Sequence, residues 1–196
     1  MAEPSRWNSS YQGAPPPWDI GAPQPRFAAL ADAGCLQGEV LDSGCGTGEH
    51  VLMAARRGAQ ATGIDIAELA IEQARAKAEE RGIAATFLVG DVLHLDRLAR
   101  QFDVITDSGV FHVFDDSERE VYVASLASAL RPGGALYLMC FSDRQPGDWG
   151  PRRVSEAELR AAFADGWSIT AIEAATFDIT IDPNGAQAWL ASVIRR

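Results

Sequence analysis

Apolar residues occur along this chain in short runs that alternate with longer amphipathic stretches. The run in EVLDSG (39–44) is too short for a helix and ends in a turn residue, so it reads as a buried strand. EHVLMAARRG (49–58) follows as a helix stopped by Gly58. QATGIDI (60–66) is a second strand, and AELAIEQARAKAEERG (67–82) is a helix with Leu69, Ile71 and Ala74 inward and Gly82 as its stop. ATFLVGD (85–91) and FDVITDSG (102–109) add two more strands. In SEREVYVASLASALRPGG (117–134), Ser117 and Glu120 match a capping box, and Pro132-Gly133-Gly134 ends the helix. ALYLMCF (135–141) is a buried strand, SEAELRAAFA (155–164) a helix, and the runs near 167–173 and 175–181 two further strands. Strands alternating with helices predict an α/β fold, a doubly wound and mostly parallel sheet. Ligands in such sheets bind beyond the carboxyl ends of the strands, where the strand order reverses.

Upstream of this pattern, RFAALADAG (26–34) suggests a first helix ending at Gly34. Residues 1–26 are rich in Pro, Ser and Gly, with APPPWDIGAPQP at 14–25, and form an arm outside the main domain at 27–196. The arm also carries Trp7, Tyr11, Trp18 and Ile20, more apolar content than a linker needs, so a disordered tail and an ordered cover both stand.

The chain has 196 residues and 47% hydrophobic content, enough for one domain with a substantial core. Its net charge of −10 shows no basic face and argues against a nucleic-acid partner. Three cysteines, Cys35, Cys45 and Cys140, make no CxxC pair, so neither a metal site nor a disulfide framework is expected. MAEPSRWNSS lacks an apolar signal core and no run approaches membrane-spanning length, so a cytoplasmic location without membrane attachment is expected.

LDSGCGTGEH (41–50) carries the chemistry, with glycines at Gly44, Gly46 and Gly48 behind Asp42. Glycine admits positive φ and the close approach of a ligand. A phosphate-binding P-loop needs Lys-Ser/Thr after its last glycine, where Glu49 and His50 stand instead. A dinucleotide loop needs its third glycine at position 49, and Glu49 puts a negative charge where a pyrophosphate would sit. The expected ligand is therefore nucleoside-like and lacks phosphates. Asp65 ends the second strand, where a carboxylate can accept from both ribose hydroxyls, and Asp91 ends the third, with Val92 beside it for a base. Either acid alone is an ordinary cap or turn residue; successive acids at strand ends behind one glycine loop are not.

Together, VLDSGCGTGEHVLMAARRGAQATGIDI, FLVGDV, FDVITDS and ALRPGGALYLM resemble the successive motifs of class I S-adenosylmethionine-dependent methyltransferases, over about residues 35–141. The resemblance implies a Rossmann-like, seven-stranded sheet with an antiparallel C-terminal strand. It also implies S-adenosyl-L-methionine as cofactor. Asp42 and the backbone of Gly44, Cys45, Gly46 and Gly48 would meet its methionyl and ribose part, with Asp65 and Ile66 at the ribose. Gly90, Asp91 and Val92 would meet the adenine, and Asp107 the amino acid end. PPPWDIGAPQP (15–25) resembles the N-terminal lid of small-molecule methyltransferases related to the thiopurine, thiol and halide enzymes, and actinobacterial hydroxyquinolone methyltransferases look closer still. Trp18 and Asp19 match its most distinctive positions, Ile20, Pro23 and Pro25 agree, and Trp18 joins the cofactor-binding set; DSGVFHVFDD (107–116) and NGAQAWL (184–190) also look like that subgroup.

The implied reaction is methyl transfer to O, N or S of a small aromatic heterocyclic or phenol-like acceptor. His112 is the candidate general base, with a loop-ordering role as its alternative. Cys45 has no expected redox role. Trp149, Arg152 and Arg153, in DRQPGDWGPRR (143–153), are either acceptor contacts or part of a surface loop. A non-catalytic module that binds S-adenosylmethionine and a nicotinamide oxidoreductase are the rival readings.

Overall fold

A computed structural model describes residues 4–196 of the chain. From edge to edge its sheet runs β3 (Thr86–Val89), β2 (Gln60–Asp65), β1 (Glu39–Ser43), β4 (Phe102–Ser108), β5 (Leu130–Phe141), β7 (Asp182–Arg195) and β6 (Trp167–Ile179). All neighbours are parallel except that β7 runs antiparallel to both β5 and β6. The chain leaves β1 toward β2 and later returns to its other side with β4, so the order reverses there. A crevice at the carboxyl ends of β1 and β4 is the consequence.

Period-2 alternation sends neighbouring strand residues to opposite faces. Val40 and Val104 pack with Phe27, Leu52 and Ile71, which belong to α2 (Pro25–Asp32), α3 (Glu49–Arg56) and α4 (Glu68–Glu80). Leu41 and Ile105 pack on the other face with Leu126 of α5 (Asp116–Ala129) and Leu159 of α6 (Glu156–Ala162). The shortest helix, α1 (Pro4–Ser9), belongs to the arm. Among the described residues no helix is long and apolar enough to cross a membrane.

Three expectations need correction. Helix α5 is capped by Asp115, not Ser117: the Glu118 N–H donates to Asp115 Oδ1 at 2.8 Å and the Asp115 N–H to Glu118 Oε2 at 3.3 Å. Phe114 is buried and brings the chain in two residues earlier, so Ser117 lies within the first turn and donates to Asp115. Helix α5 stops at Ala129, and Pro132-Gly133-Gly134 lies inside β5 as an irregularity where pairing jumps from Leu130 to Ala135. The two runs at 167–173 and 175–181 form one strand, β6, because no turn residue separates them and a bulge between Ile169 and Ala171 absorbs the irregularity. The seventh strand is β7, which contains NGAQAWL.

The arm is ordered from residue 4 onward; its first three residues lie outside the described residues. Tyr11 is buried with Ala67, which precedes α4, and Ala70 within it, and Asn8 accepts from the Leu69 N–H at 2.9 Å. The arm then crosses the carboxyl edge of the sheet to the β6–β7 hairpin, where the Thr180 N–H donates to the Pro17 carbonyl at 2.9 Å. Gln24 completes this crossing with a paired contact to the Asp178 backbone at 2.8 and 2.9 Å.

Candidate active site

The glycine loop joins β1 to α3, and all three of its glycines have positive φ: 72° at Gly44, 51° at Gly46 and 86° at Gly48. The protein's own packing accounts for two of them. A Cβ on Gly44 would sit 2.2 Å from Val110 Cγ2, and one on Gly48 would sit 2.6 Å from Phe87 Cε1 and 2.9 Å from Ala74 Cβ. At Gly46 the neighbour is the Tyr11 hydroxyl of the arm, 3.0 Å away. Close packing of the loop against Val110, β3 and α4 therefore demands Gly44 and Gly48 before any ligand is considered. Cys45 is buried against Gly63, and burial pushes its thiol well up, which suits a packing role.

Asp42 is 2% exposed, with Oδ1 accepting from Thr106 Oγ1 at 2.6 Å. Its Oδ2 is buried without a hydrogen-bond partner among the described residues. His50 Nδ1 stands 3.7 Å from it. A buried carboxylate oxygen left open at the head of a glycine loop is an acceptor that a cationic ammonium fits. Asp65 accepts from the Gly46 N–H and the Ala67 N–H, each at 2.8 Å, so it braces the loop from β2. Burial raises its pKa, the backbone donors oppose that rise and Asp42 adds to it. Beside it, Ile66 is half-buried. Gly90 lets β3 approach Ile64, whose Cδ1 lies 2.8 Å from where a Cβ would be. Asp91 is half-exposed; it caps the following 3-10 turn by accepting from the Leu93 N–H at 2.9 Å, and Val92 enters the core. Asp42, Asp65 and Asp91 thus stand at successive strand ends as the pattern predicts.

Glu49 differs from expectation. Its carboxylate is held by Lys77 of α4 at 2.9 Å and by Arg81, just past the end of α4, at 2.8 Å. Burial alone would raise its pKa, but the hydrogen bonds from Arg81 and Lys77 hold it below the ordinary value. The negative charge is thereby neutralised against α4, which weakens the charge argument against phosphate and leaves the glycine spacing to carry it.

Asp107 closes β4 from inside. It is fully buried and accepts from the Val110 N–H at 2.7 Å, the Phe111 N–H at 3.1 Å and the Tyr122 hydroxyl at 3.0 Å. Its carboxyl therefore shapes the loop that presents His112. Burial pushes its pKa up to about 7, partly opposed by the Val110, Tyr122 and Phe111 donors. A pH dependence follows. Between about pH 4 and pH 7 the folded chain keeps a proton on Asp107 that the unfolded chain has released, so this contribution to stability falls as pH rises through that window. Asp65 acts with the same sign, whereas Glu49 and Glu158, held low by their partners, act only at more acidic pH. His112, whose pKa is pushed down to about 3, stays neutral in the fold where the unfolded chain takes up a proton, so between about pH 4 and pH 6 it acts with the opposite sign and offsets Asp107. Denaturant titrations are therefore expected to show little net slope there, and Asp107→Asn to uncover a rise of up to about 1.4 kcal/mol per pH unit. A profile unchanged in that variant removes Asp107 from the balance.

His112 is 7% exposed, and its Nδ1 accepts from the Phe141 N–H at 3.0 Å. Burial and the nearby Arg119 guanidinium push its pKa down to about 3, so the ring is neutral. Aromatic rings surround it: Phe141 at 5.2 Å and Phe177 at 6.0 Å between centroids, both edge-on. Trp149, 38% exposed, stands edge-on to Phe141 at 5.8 Å. Of the remaining loop residues, Arg152 pairs with Asp116 and Glu158 on the outer surface. Arg153 holds the carbonyls of Trp149, Pro151 and Gly147, so it organises the loop.

The arm ties these parts together. Trp18 is 47% exposed, donates from Nε1 to the Tyr11 hydroxyl at 3.2 Å and meets Trp7 edge-on at 6.1 Å. Asp19 accepts from Thr47 Oγ1 at 2.7 Å, and Thr47 in turn accepts from Lys77 at 2.7 Å. His50, which the sequence reading passed over, accepts from the Gln24 N–H at 3.0 Å through Nε2 and so turns Nδ1–H toward Asp42. Its only sequence signal is a histidine in the first turn after the glycine loop.

Comparisons with known proteins agree with this geometry. A family model described as a methyltransferase domain matches residues 40–134. The 2-heptyl-1-hydroxyquinolin-4(1H)-one methyltransferase of Mycobacteroides abscessus is 37% identical over 179 residues, 86% of this chain and 79% of that protein. A probable thiol methyltransferase of Arabidopsis thaliana is 32% identical over 155 residues, 78% of this chain and 68% of that protein. A solved structure concerning conversion of a disulfide bond into a thioacetal group during echinomycin biosynthesis superposes with a TM-score of 0.89 at 36% identity, covering 98% of this chain and 93% of its own. Magnesium protoporphyrin IX methyltransferase from Synechocystis, solved with bound S-adenosylmethionine, gives 0.68 at 26% identity, over 87% and 76% of the two chains. With the glycine loop, the open Asp42 oxygen and the strand-end acids in place, the chain belongs to the class I S-adenosylmethionine-dependent methyltransferases.

Proposed function

We propose that this chain methylates O, N or S of a small, flat aromatic acceptor held between the arm and the carboxyl ends of β4, β5 and β6. The observation that carries this reading is the ring group of His112, Phe141, Phe177 and Trp149, with one polar ring among three apolar ones. Such walls suit a planar, largely apolar molecule with a single reactive heteroatom. The hydroxyquinolone and thiol methyltransferases named above are both small-molecule enzymes by name, which supports the same class.

S-adenosylmethionine, when bound, supplies an electrophilic methyl carbon. Of the chain's own residues, Asp42 Oδ2 would hold the cofactor's ammonium, Asp65 its ribose hydroxyls, and Asp91 with Val92 the adenine edge. The main chain of Gly44, Cys45, Gly46 and Gly48, with Ile66 and Gly90, would complete the binding set. Asp107 acts indirectly, by shaping the loop around His112. The arm serves as a lid: Trp18, Tyr11 and Asp19 cover the glycine loop and exclude water, while alignment of the acceptor behind the methyl group supplies most of the rate.

The test is calorimetric titration with S-adenosylmethionine, S-adenosylhomocysteine and NAD, followed by transfer of labelled methyl to a panel of phenols, hydroxyquinolones and thiols. Binding of the first two without NAD, and labelling of at least one panel class, is expected. Tight cofactor binding with no panel member labelled, but with label entering protein or nucleic acid, overturns the small-acceptor reading.

A further inference from the structure

A neutral imidazole carries one ring hydrogen, and in His112 a main-chain contact decides where it sits. The Phe141 N–H that donates to Nδ1 at 3.0 Å belongs to a strand residue with no freedom to turn away. Phe141 pairs with Ala188 of β7, and its carbonyl accepts from the Val154 N–H at 2.9 Å. Nδ1 therefore keeps its lone pair and the hydrogen lies on Nε2. Protonating Nδ1 would set two N–H groups against each other, and Nε2 has no lone pair to offer.

The Nε2 edge lies over Gly109, where an added Cβ would be 3.5 Å away, and among the described residues no acceptor takes its hydrogen. The charged group near the ring is cationic: Arg119 of α5, 5% exposed, with Nη2 buried and unpartnered. Glu158 of α6 meets its Nη1 at 3.2 Å and compensates that charge in part. Strands β5 and β6 present the rings of Phe141 and Phe177 to the imidazole, and Asp107, on β4, is already engaged by Val110, Phe111 and Tyr122.

We infer that His112 meets the acceptor as a hydrogen-bond donor through Nε2, not as a general base, and that the site takes acceptors whose heteroatom is already ionised. This rests on the small-acceptor reading above. The acceptor loses its proton to solvent before it binds. Its lone pair then forms the bond to carbon while the carbon–sulfur electrons stay with sulfur, so both charges vanish and no proton needs a place on the protein. Because the acceptor's charge fades along the reaction, the Nε2–H bond is strongest in the ground state and acts mainly on binding and orientation.

Two measurements test this. Nitrogen-15 NMR of the three histidines, with His112→Phe for assignment, is expected to show His112 as the neutral Nε2–H form from about pH 6 to pH 8. An Nδ1–H form or a titrating ring overturns the inference. In methyl transfer to 2-heptyl-1-hydroxyquinolin-4(1H)-one and to phenols of graded acidity, the acid limb of kcat/KM is expected to move with each acceptor's own ionisation. His112→Phe should raise KM about tenfold to a hundredfold with a smaller change in kcat and leave that limb in place, while His112→Gln, which keeps an N–H, restores part of the loss. A limb that stays fixed across acceptors and disappears in His112→Phe makes the residue a base and sinks the donor role alone. Cofactor binding without turnover of any of these acceptors sinks the small-acceptor reading and the inference with it.

Discussion

Gly48→Ala is expected to cost about 2–5 kcal/mol of folding stability, measured by urea denaturation. Two effects add. The residue has φ of 86°, a conformation that costs an L-residue about 1–2 kcal/mol. Its new Cβ would also lie 2.6 Å from the Phe87 ring and 2.9 Å from Ala74, both buried in the face formed by α3 and α4. Neither neighbour can yield, since Phe87 is 4% exposed and Ala74 is fully buried. Gly58→Ala is the control: its φ is 92° but nothing lies within 4 Å of the added carbon, so only the conformational cost of about 1–2 kcal/mol remains. Equal losses at the two positions would show that packing contributes nothing at Gly48.

Asp42→Ala is expected to weaken binding of S-adenosylmethionine about tenfold to a hundredfold while changing the stability of the cofactor-free protein by less than about 1 kcal/mol. The two readouts separate because Asp42 contributes little to the fold itself. Its Oδ2 is buried without a partner, so removing the carboxylate relieves a desolvation cost. The hydrogen bond lost from Thr106 has a substitute in the Leu41 carbonyl, 3.4 Å from the same hydroxyl. The cofactor's ammonium has no such substitute. Calorimetry together with thermal melts checks both halves; a large loss of stability with unchanged affinity would make Asp42 a structural residue.

Strand ends and loop chemistry were legible in the residues because both are local. Each of β1 to β4 is an apolar run of a few residues closed by an acid or a glycine, and Asp42, Asp65 and Asp91 fall at the ends of β1, β2 and β3 as read. The C-terminal hairpin was less legible, since β6 and β7 are long strands whose limits depend on pairing rather than on turn residues. His50, Gln24 and Thr47 were missed because their partners lie 26 to 30 residues away in sequence, or farther. Asp107 was read as a cofactor contact, and its three internal donors are visible only once the chain has turned back at Val110 and α5 has docked.

Local order along the chain by itself determined a doubly wound sheet, a glycine loop at the tip of its first strand and a family whose cofactor carries a nucleoside. The sheet and the loop follow from hydrophobic periodicity and backbone sterics, which act between near neighbours, while the family is what the resemblance of the successive motifs implies. Only the tertiary structure decided what the individual groups do. It set Glu49 against α4, left one Asp42 oxygen open, laid the arm across the sheet edge and placed a main-chain N–H on His112 Nδ1. Proton positions and unpaired charges depend on groups that meet through space, and no spacing along the chain encodes them.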